Sequence, residues 1–420
     1  MRLIKLGYHV TMLTMNTPTP RSTLASSLCA LALVSAGCSS TETTGGTTTG
    51  TAPDLDAIAF HVETMVKPGS EVQLCKFIAL PKDRGELAVT RSDHTYTEGS
   101  HHFLVYRTSM KEVPAGGGDL VSCDDTEWMS TVSGVAYAAQ SPTGDLTLPE
   151  GVSQRFTPGE VLLVQVHYLN ATQADLDAKV DFTFHTSPAD TVPTEAGVLF
   201  FFNPIINVPP HGTSTAQLSC PVPDDVNLLF AASHMHKRGA SFEAHLEGQP
   251  EGSLYTSKMW SDPVPHAFSP GDASAKVAKG SSISYSCSYQ NADDQRYLAG
   301  PSAQKDEMCM FVGMYYPKLD SATELCWNGA AKTSGTASCL DTLKCAGGCA
   351  ADDLECRATC LDAICPTAAE PMMRFGRCVG PACGEICQTK GASSAECTSC
   401  ATSKCLDEAV ACQSAICASP

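Results

Sequence analysis

The stretch Leu228-Leu229-Phe230-Ala231-Ala232-Ser233-His234-Met235-His236 reads as a buried strand that ends in two histidines one residue apart. Alternate side chains of a strand share a face. Leu228, Phe230, Ala232, His234 and His236 are therefore expected on one side, where an apolar surface runs out into two imidazoles able to hold one metal ion. Other runs have the same texture: EVQLCKFIAL (71–80), HHFLVYRT (101–108), EVLLVQVHYL (160–169), KVDFTFHT (179–186), SSISYSCSY (281–289) and MCMFVGMYY (308–316). They are short, bounded by Gly, Pro, Asn, Asp and Ser, and none repeats at the helical period, so the fold class is all-β and antiparallel. About 280 residues lie between Asp54 and Thr333, a length that suits two domains. A second set of strands opens with GVLFFFN (197–203) behind Pro193-Thr194-Glu195. The expectation is two tandem jelly-roll-like β-sandwiches, 54–192 and 193–333.

Three further stretches carry histidine or thioether in similar settings: His101-His102, His167 and Met308. Five histidines and one soft sulfur make two three-ligand sites. Imidazole suits several metals, but a thioether selects copper, above all Cu(I), whereas catalytic zinc more often brings a carboxylate or a third histidine. Neighbours on a regular strand face opposite ways, so His101 and His102 reach one ion only if the backbone kinks, and Gly99-Ser100 permits a bend there. Met310 and Met314 share the strand parity of Met308; periodicity does not choose among the three, and the first two are read as core packing. His61, His94, His185, His211, His245 and His266 lie singly among polar neighbours and read as surface residues or as partners behind a ligand.

Ahead of the sandwiches, Lys5 and Arg21 precede an apolar run, Leu24 to Val34, that stops at Ser35-Ala36-Gly37-Cys38. The run is a signal peptide (1–38), too short to span a membrane. Its end resembles a bacterial lipobox, in which Cys38 would receive lipid, although Ser35 stands where Leu or Val is usual; without lipid the protein is secreted. Met12 or Met15 could serve as the start. Residues 39–53 are a Ser/Thr/Gly tether with almost no apolar surface. Of 22 cysteines, Cys29 leaves with the signal and Cys38 is the lipid candidate, which leaves 20, an even number as a disulfide framework requires. Cys75 and Cys123 are alone in the first sandwich and pair if both are oxidised within it; Cys220, Cys287, Cys309 and Cys326 allow three connectivities.

From 334 to 420 the composition changes. Fourteen cysteines fall between Cys339 and Cys417 among few large apolar residues, so disulfides are expected to replace a hydrophobic core, with a metal-thiolate cluster as the alternative. An imperfect repeat matches Cys339, Cys345, Cys349, Cys356, Cys360 and Cys365 with Cys378, Cys383, Cys387, Cys397, Cys400 and Cys405, leaving Cys412 and Cys417 over. Within the first copy, spacings of four put Cys345 with Cys349, and Cys356 with Cys360, on single helix faces, which predicts two short helices clipped face to face. A net charge of -18 and a pI near 5.0 exclude nucleic acid and anionic membrane as partners, so membrane contact would come only through lipid on Cys38.

The segments SHHFLVYR (100–107), VQVHY (164–168), HMHKRG (234–239), SYSCSYQN (284–291) and DEMC (306–309) ahead of MYYP (314–317) occur in an order and at separations that make a set. From about residue 60 to Cys326 the chain resembles the ascorbate-dependent type II copper monooxygenase family. The resemblance implies an electron-transfer copper on His101, His102 and His167, and an oxygen-activating copper on His234, His236 and Met308. It implies two sandwiches facing each other across a solvent-filled cleft, with bridges Cys287–Cys309 and Cys220–Cys326. It also implies ascorbate or an equivalent one-electron reductant, O2, and hydroxylation of a C–H bond in a small organic substrate. The family's first domain carries more disulfides than this one can, so Cys75–Cys123 is not fixed by the resemblance. The peptide-amidating branch has Asn and Tyr two and four places after its copper Met and Arg two before its His-x-His. Here these are Met310, Val312 and Ala232, which argues against a glycine-extended peptide and for a small aromatic or aliphatic molecule.

Three functions fit. The first is a copper monooxygenase, exported and lipid-anchored at a bacterial outer membrane or cell surface, or else secreted. The others are a non-catalytic extracytoplasmic copper-binding protein and a surface scaffold acting through the Cys-rich tail. Substrate, reductant and oligomeric state are not written in the sequence.

Overall fold

The computed structural model describes residues 57–420 apart from 124–127, 249–252, 262, 270, 301, 327, 351, 391–393, 416 and 418–420. The signal, the tether and the lipid candidate Cys38 lie outside the described residues. Among the described residues there are four large sheets and one two-stranded sheet, Asn207–Val208 with Tyr297–Leu298. The first outer sheet orders Ala57–Val66, Leu176–Pro188, Leu87–Tyr96, Val152–Phe156 and Thr194–Glu195, with Thr143–Thr147 paired on its third strand. The first inner sheet orders Val121–Ser122, Glu71–Ala79, Val161–Leu169, Ser100–Thr108 and Val132–Ala139. Gly197–Phe202, Cys309–Tyr316, Val226–Met235 and His266–Ala267 build the second inner sheet, with Lys276–Val277 on the third strand. Ser253–Ser257, Gly239–Leu246, Ser282–Gln290, Thr213–Pro221 and Ala330–Ala331 build the second outer sheet. Pairing is antiparallel throughout these sheets except between Thr194–Glu195 and Val152–Phe156.

Strand alternation assigns the side chains to layers. Phe103 and Val105, with Val164, Val166 and Tyr168, point into a core shared with Val180, Phe182 and Phe184 of the first outer sheet. Their neighbours Leu104, Tyr106, Val161 and Leu163 point the other way, into a cluster with Val198, Leu229 and Met314 of the second inner sheet. Both inner sheets are therefore buried on both faces, which is why their strands read as almost unbroken apolar runs. The facing surfaces are in apolar contact, with Tyr106 edge-on to Phe200 at 6.5 Å, where the resemblance implies a solvent-filled cleft.

The tail departs from its expectation. After α1 (Ser321–Glu324), which precedes the tail, two short helices form in the first copy as its cysteine spacing predicts, α2 (Cys339–Gly348) and α3 (Leu354–Asp362); the 25-residue α4 (Pro366–Lys390), α5 (Ala395–Lys404) and α6 (Leu406–Ser414) follow. Cys345–Cys360 and Cys349–Cys356 clip α2 to α3, as Cys383–Cys400 and Cys387–Cys397 clip α4 to α5. Cys378–Cys405 closes the second copy on itself. Its counterparts in the first copy, Cys339 and Cys365, pair with Cys412 and Cys417, the two that the repeat leaves over. Yet the tail also has a hydrophobic core. Leu343, Ile364, Met372, Met373, Phe375 and Val379 belong to the same buried cluster as Phe201, Leu218 and Phe311 of the second sandwich. Arg377 donates to the carbonyls of Cys326 and Phe202, and Arg296 bonds Glu355 at 2.7 Å. The few apolar residues of the tail suffice because they complete a core that already exists.

Three more disulfides join Cys75 to Cys123, Cys220 to Cys326 and Cys287 to Cys309. Ten bridges fit an oxidising compartment. No described helix is long and apolar enough to cross a membrane.

Phe375→Ala is expected to cost about 3–5 kcal/mol, lowering one calorimetric transition common to α4 and the second sandwich; loss confined to a separate small transition would mean that the tail folds alone. Glu324, 4% exposed, receives the Tyr315 hydroxyl at 3.2 Å, and burial pushes its carboxyl up to about 7. A carboxyl raised in the folded state binds more protons folded than unfolded, so its stabilisation is present below the unfolded value of 4.5 and is lost as pH rises toward 7. Between those limits Glu324→Gln should remove a loss of up to about 3 kcal/mol, read as a smaller drop in urea midpoint from pH 4.5 to pH 7 than in the parent protein.

Candidate metal centre

In the first sandwich the two middle strands of the inner sheet supply the histidines. Ser100 pairs with Tyr168 and His102 with His167, so His101 is the extra residue of a β-bulge, next to Gly99 at φ 100°. The bulge supplies the kink that an adjacent histidine pair needs. It leaves His102 in line with Leu104 and Tyr106, and His167 with Leu163, all directed at the second sandwich. The rings of His102 and His167 stand 4.7 Å apart. The side chain of His101 lies outside the described residues.

A second bulge shapes the other half. Leu228 pairs with Tyr315 and Phe230 with Met314, so Leu229 is the added residue. Strict alternation would set Leu228 on the face of His234; the bulge turns Leu228 into the second core instead, while Leu229 and Phe230 join the apolar cluster between the sandwiches. From there on alternation holds. His234 pairs with Met310 and Met235 with Cys309, where the pairing ends, one residue short of His236 on one strand and of Met308 on the other. The Tyr289 hydroxyl donates to the Met308 carbonyl at 2.8 Å, and the Cys287–Cys309 bridge ties down the next residue. Met314 packs between the sandwiches and Met310 is 4% exposed, as core residues.

The two halves meet at the histidines. The His234 ring lies 5.3 Å from that of His236 and 5.4 Å from that of His102 across the interface. Each ring has one nitrogen held by a partner behind it. His102 donates Nε2–H to Gln165 Oε1 at 3.2 Å, and His167 donates Nε2–H to Glu71 Oε1 at 2.9 Å. His234 donates Nδ1–H to Gln140 Oε1 at 2.5 Å, while the Gln140 amide donates to the Ser233 carbonyl at 2.8 Å. His236 donates Nδ1–H to the Asp306 carbonyl at 3.1 Å. Such bonds fix tautomer and ring orientation in metal-binding histidines. A metal held by these rings would then be met by Nδ1 of His167 and by Nε2 of His234 and His236.

All four rings are buried, from 0% exposed for His167 and His236 to 6% for His102. Burial, reinforced by the neighbouring imidazoles, drives the pKa of His102 and of His234 well below 6.5, and burial takes His236 down to about 3 against the opposing pull of its Asp306 hydrogen bond. Neutral imidazole is the form that binds metal. Glu307, wholly buried, accepts the backbone N–H groups of His236 at 3.2 Å and Arg238 at 2.9 Å, and burial pushes its carboxyl up to about 7. Among the described residues the only groups of three or more His, Cys or carboxylate donor atoms lying within 4.8 Å of one another are Cys349/Cys356/Cys360 and Cys378/Cys405/Glu408. Their cysteines are all in disulfides. A metal on either pair of histidines would need a further donor, His101, whose side chain lies outside the described residues, or the Met308 thioether.

Sequence reasoning misses the residues behind the ligands. Gln165 could have been found from strand parity, since it shares the face of His167; Glu71 and Gln140 carry no local signal. His94 is a correction: it is 5% exposed inside the first sandwich, bonded to the Tyr137 hydroxyl at 2.7 Å and the Ser141 carbonyl at 2.8 Å, because a period-2 strand turns it into the core. It thereby fixes the turn that starts at Gln140.

Residues 194–336 match the family model of the copper type II ascorbate-dependent monooxygenase C-terminal domain. Over 268 residues the chain is 25% identical to peptidyl-glycine alpha-amidating monooxygenase B of Xenopus laevis, a match covering 60% of this chain and 29% of that protein. Among solved structures, the major capsid protein P2 of bacteriophage PM2 aligns at 10% identity over 62% of this chain and 96% of its own, with a TM-score of 0.28, too low to carry an argument.

Gln140→Leu keeps the volume but removes the lock on the His234 tautomer. If His234 and His236 hold copper, its affinity is expected to weaken about 10- to 100-fold in a competition titration against a chromophoric chelator; an unchanged affinity would deny Gln140 this part.

Proposed function

We propose that this chain, a member of the copper type II ascorbate-dependent monooxygenase family through its residues 194–336, is a copper-dependent monooxygenase that hydroxylates a C–H bond of a small organic molecule with O2 and a one-electron reductant such as ascorbate. The observation that carries the reading is the donor set: four buried imidazoles, each hydrogen-bonded from behind, in contact across one interface. His101, His102 and His167 would hold one copper, and His234, His236 and Met308 the other. Bound copper would supply the one-electron redox steps and the activation of oxygen. The chain does the rest. Gln165 and Glu71 orient the first pair of rings, Gln140 and the Asp306 carbonyl orient the second, and the apolar contact between the inner sheets keeps bulk water from both. A thioether favours Cu(I) and, held weakly, leaves a coordination position for oxygen.

The substrate class follows from what surrounds the second trio. Ala232 and Val312 pair in the inner sheet and Met310 sits opposite His234, so the positions that would anchor a carboxylate are apolar. An aromatic or aliphatic molecule suits them better than a peptide acid. The protein acts outside the cytoplasm, reaching a membrane, if any, through lipid on Cys38. A second reading, a copper carrier without turnover, is favoured by one observation: the histidines are closed in on every side, with at most 6% of a ring's residue exposed.

Oxygen uptake separates the two. Purified protein loaded with copper and given ascorbate should bind two ions per chain and consume O2 in step with a hydroxylated product for some member of a panel of small aromatic and aliphatic molecules. Met308→Ala should retain the fold and abolish that uptake. Two bound ions with no substrate-dependent uptake would establish the carrier, and normal turnover without Met308 would remove it from the site.

A further inference from the structure

Glu71 lies on the strand Glu71–Ala79 of the first sandwich, yet its carboxylate serves both halves of the molecule. Oε1 accepts the His167 Nε2–H at 2.9 Å and the Ala303 backbone N–H at 2.8 Å, while Oε2 accepts the Ser302 hydroxyl at 2.8 Å. Ser302 and Ala303 begin the turn that leads into Met308. That turn is a closed unit: the Ser302 hydroxyl oxygen also accepts the backbone N–H groups of Gln304 and Lys305, and Asp306 bonds back to Ser302 through both its carboxylate and its own N–H. The Asp306 carbonyl then receives His236 Nδ1–H. An unbroken path of hydrogen bonds runs from His167 through Glu71 and the 302–306 turn to His236.

We propose that Glu71 is a positioning residue shared by the two metal trios, registering the turn that carries Asp306 and Met308 against the His167 end of the first sandwich. The carboxylate has three donors from two distant parts of the chain, His167 at 96 residues and the adjacent Ser302 and Ala303 at 231 and 232. An outer partner serving only His167 has no need of the last two. One group bonded to both ligand-bearing segments makes the geometry of each trio depend on the other, because shifting the turn moves the acceptor that orients His167. This rests on the copper reading for what the trios hold, but not for the bond path itself.

The test uses full-length protein carrying Glu71→Gln, Ser302→Ala, Ser302→Thr and the Glu71/Ser302→Ala double change. Copper titration in a His167→Ala background reports the second ion and in a His236→Ala background the first. Glu71→Gln is expected to weaken the first ion about 10- to 100-fold and the second about 10-fold. Ser302→Ala, which touches no proposed ligand, should weaken the first ion several-fold and lose that effect once Glu71 is gone, the non-additivity that marks a coupled pair. Ser302→Thr should restore it. Metal-free protein gives an independent reading: amides of 300–308 should exchange faster in Glu71→Gln than in the parent. Weakening of the first ion alone, with exchange in 300–308 unchanged, would overturn the shared role. Failure of the parent protein to hold two copper ions would remove the copper reading and leave the exchange result to decide the role of Glu71.

Discussion

The packing of one inner sheet against the other is the constraint on which the rest depends. Leu104, Tyr106, Val161 and Leu163 on one side and Val198, Leu229 and Met314 on the other are almost wholly out of water. Each such side chain contributes roughly 1.5–3 kcal/mol on burial. The consequence is positional. Strands whose ends carry histidine are brought face to face, so His102 meets His234 because the apolar residues beside them meet first. Without that contact each sandwich would present two imidazoles to solvent, and His234 would lose Gln140, the partner that orients its ring.

The sheets themselves were legible because their signal is local. Alternation, turn residues and strand length mark every strand that bears a ligand, and the change of composition after Thr333 marks the helical tail. What local signals do not contain is the bulge. Residue 229 breaks the parity that would align Leu228 with His234, and residue 101 breaks the parity that would part it from His102; in each case one added residue reassigns faces along the strand. Gly99 hinted at the second. Nothing in the run Leu228-Leu229-Phe230 hinted at the first, since all three residues are apolar and either face accepts them.

The tail teaches a different limit. Its cysteine spacing is a helical pattern and yields the clipped helix pairs directly. Its scarcity of large apolar residues reads as a domain without a core only if the tail is taken alone. Met372, Phe375 and Val379 lie along one side of α4 and are enough because the second sandwich supplies the opposing surface. Composition counted over a segment measures what that segment owns; stability depends on what it borders. Disulfides then act where packing is thinnest, joining helices of nine or ten residues that could not hold their conformation unaided.

The groups behind the histidines were out of reach for the same reason, and they change what kind of site this is. Gln140 belongs to the first sandwich but orients a ring of the second, and Glu71 belongs to the first but holds the turn that orients another. The second sandwich is therefore incomplete as a histidine-presenting unit, and the geometry of its rings is a property of the interface. Every described ring accordingly keeps a hydrogen-bonded partner. Substrate contacts can change singly with substrate. A partner that spans the interface cannot be altered without disturbing the half of the molecule it does not belong to.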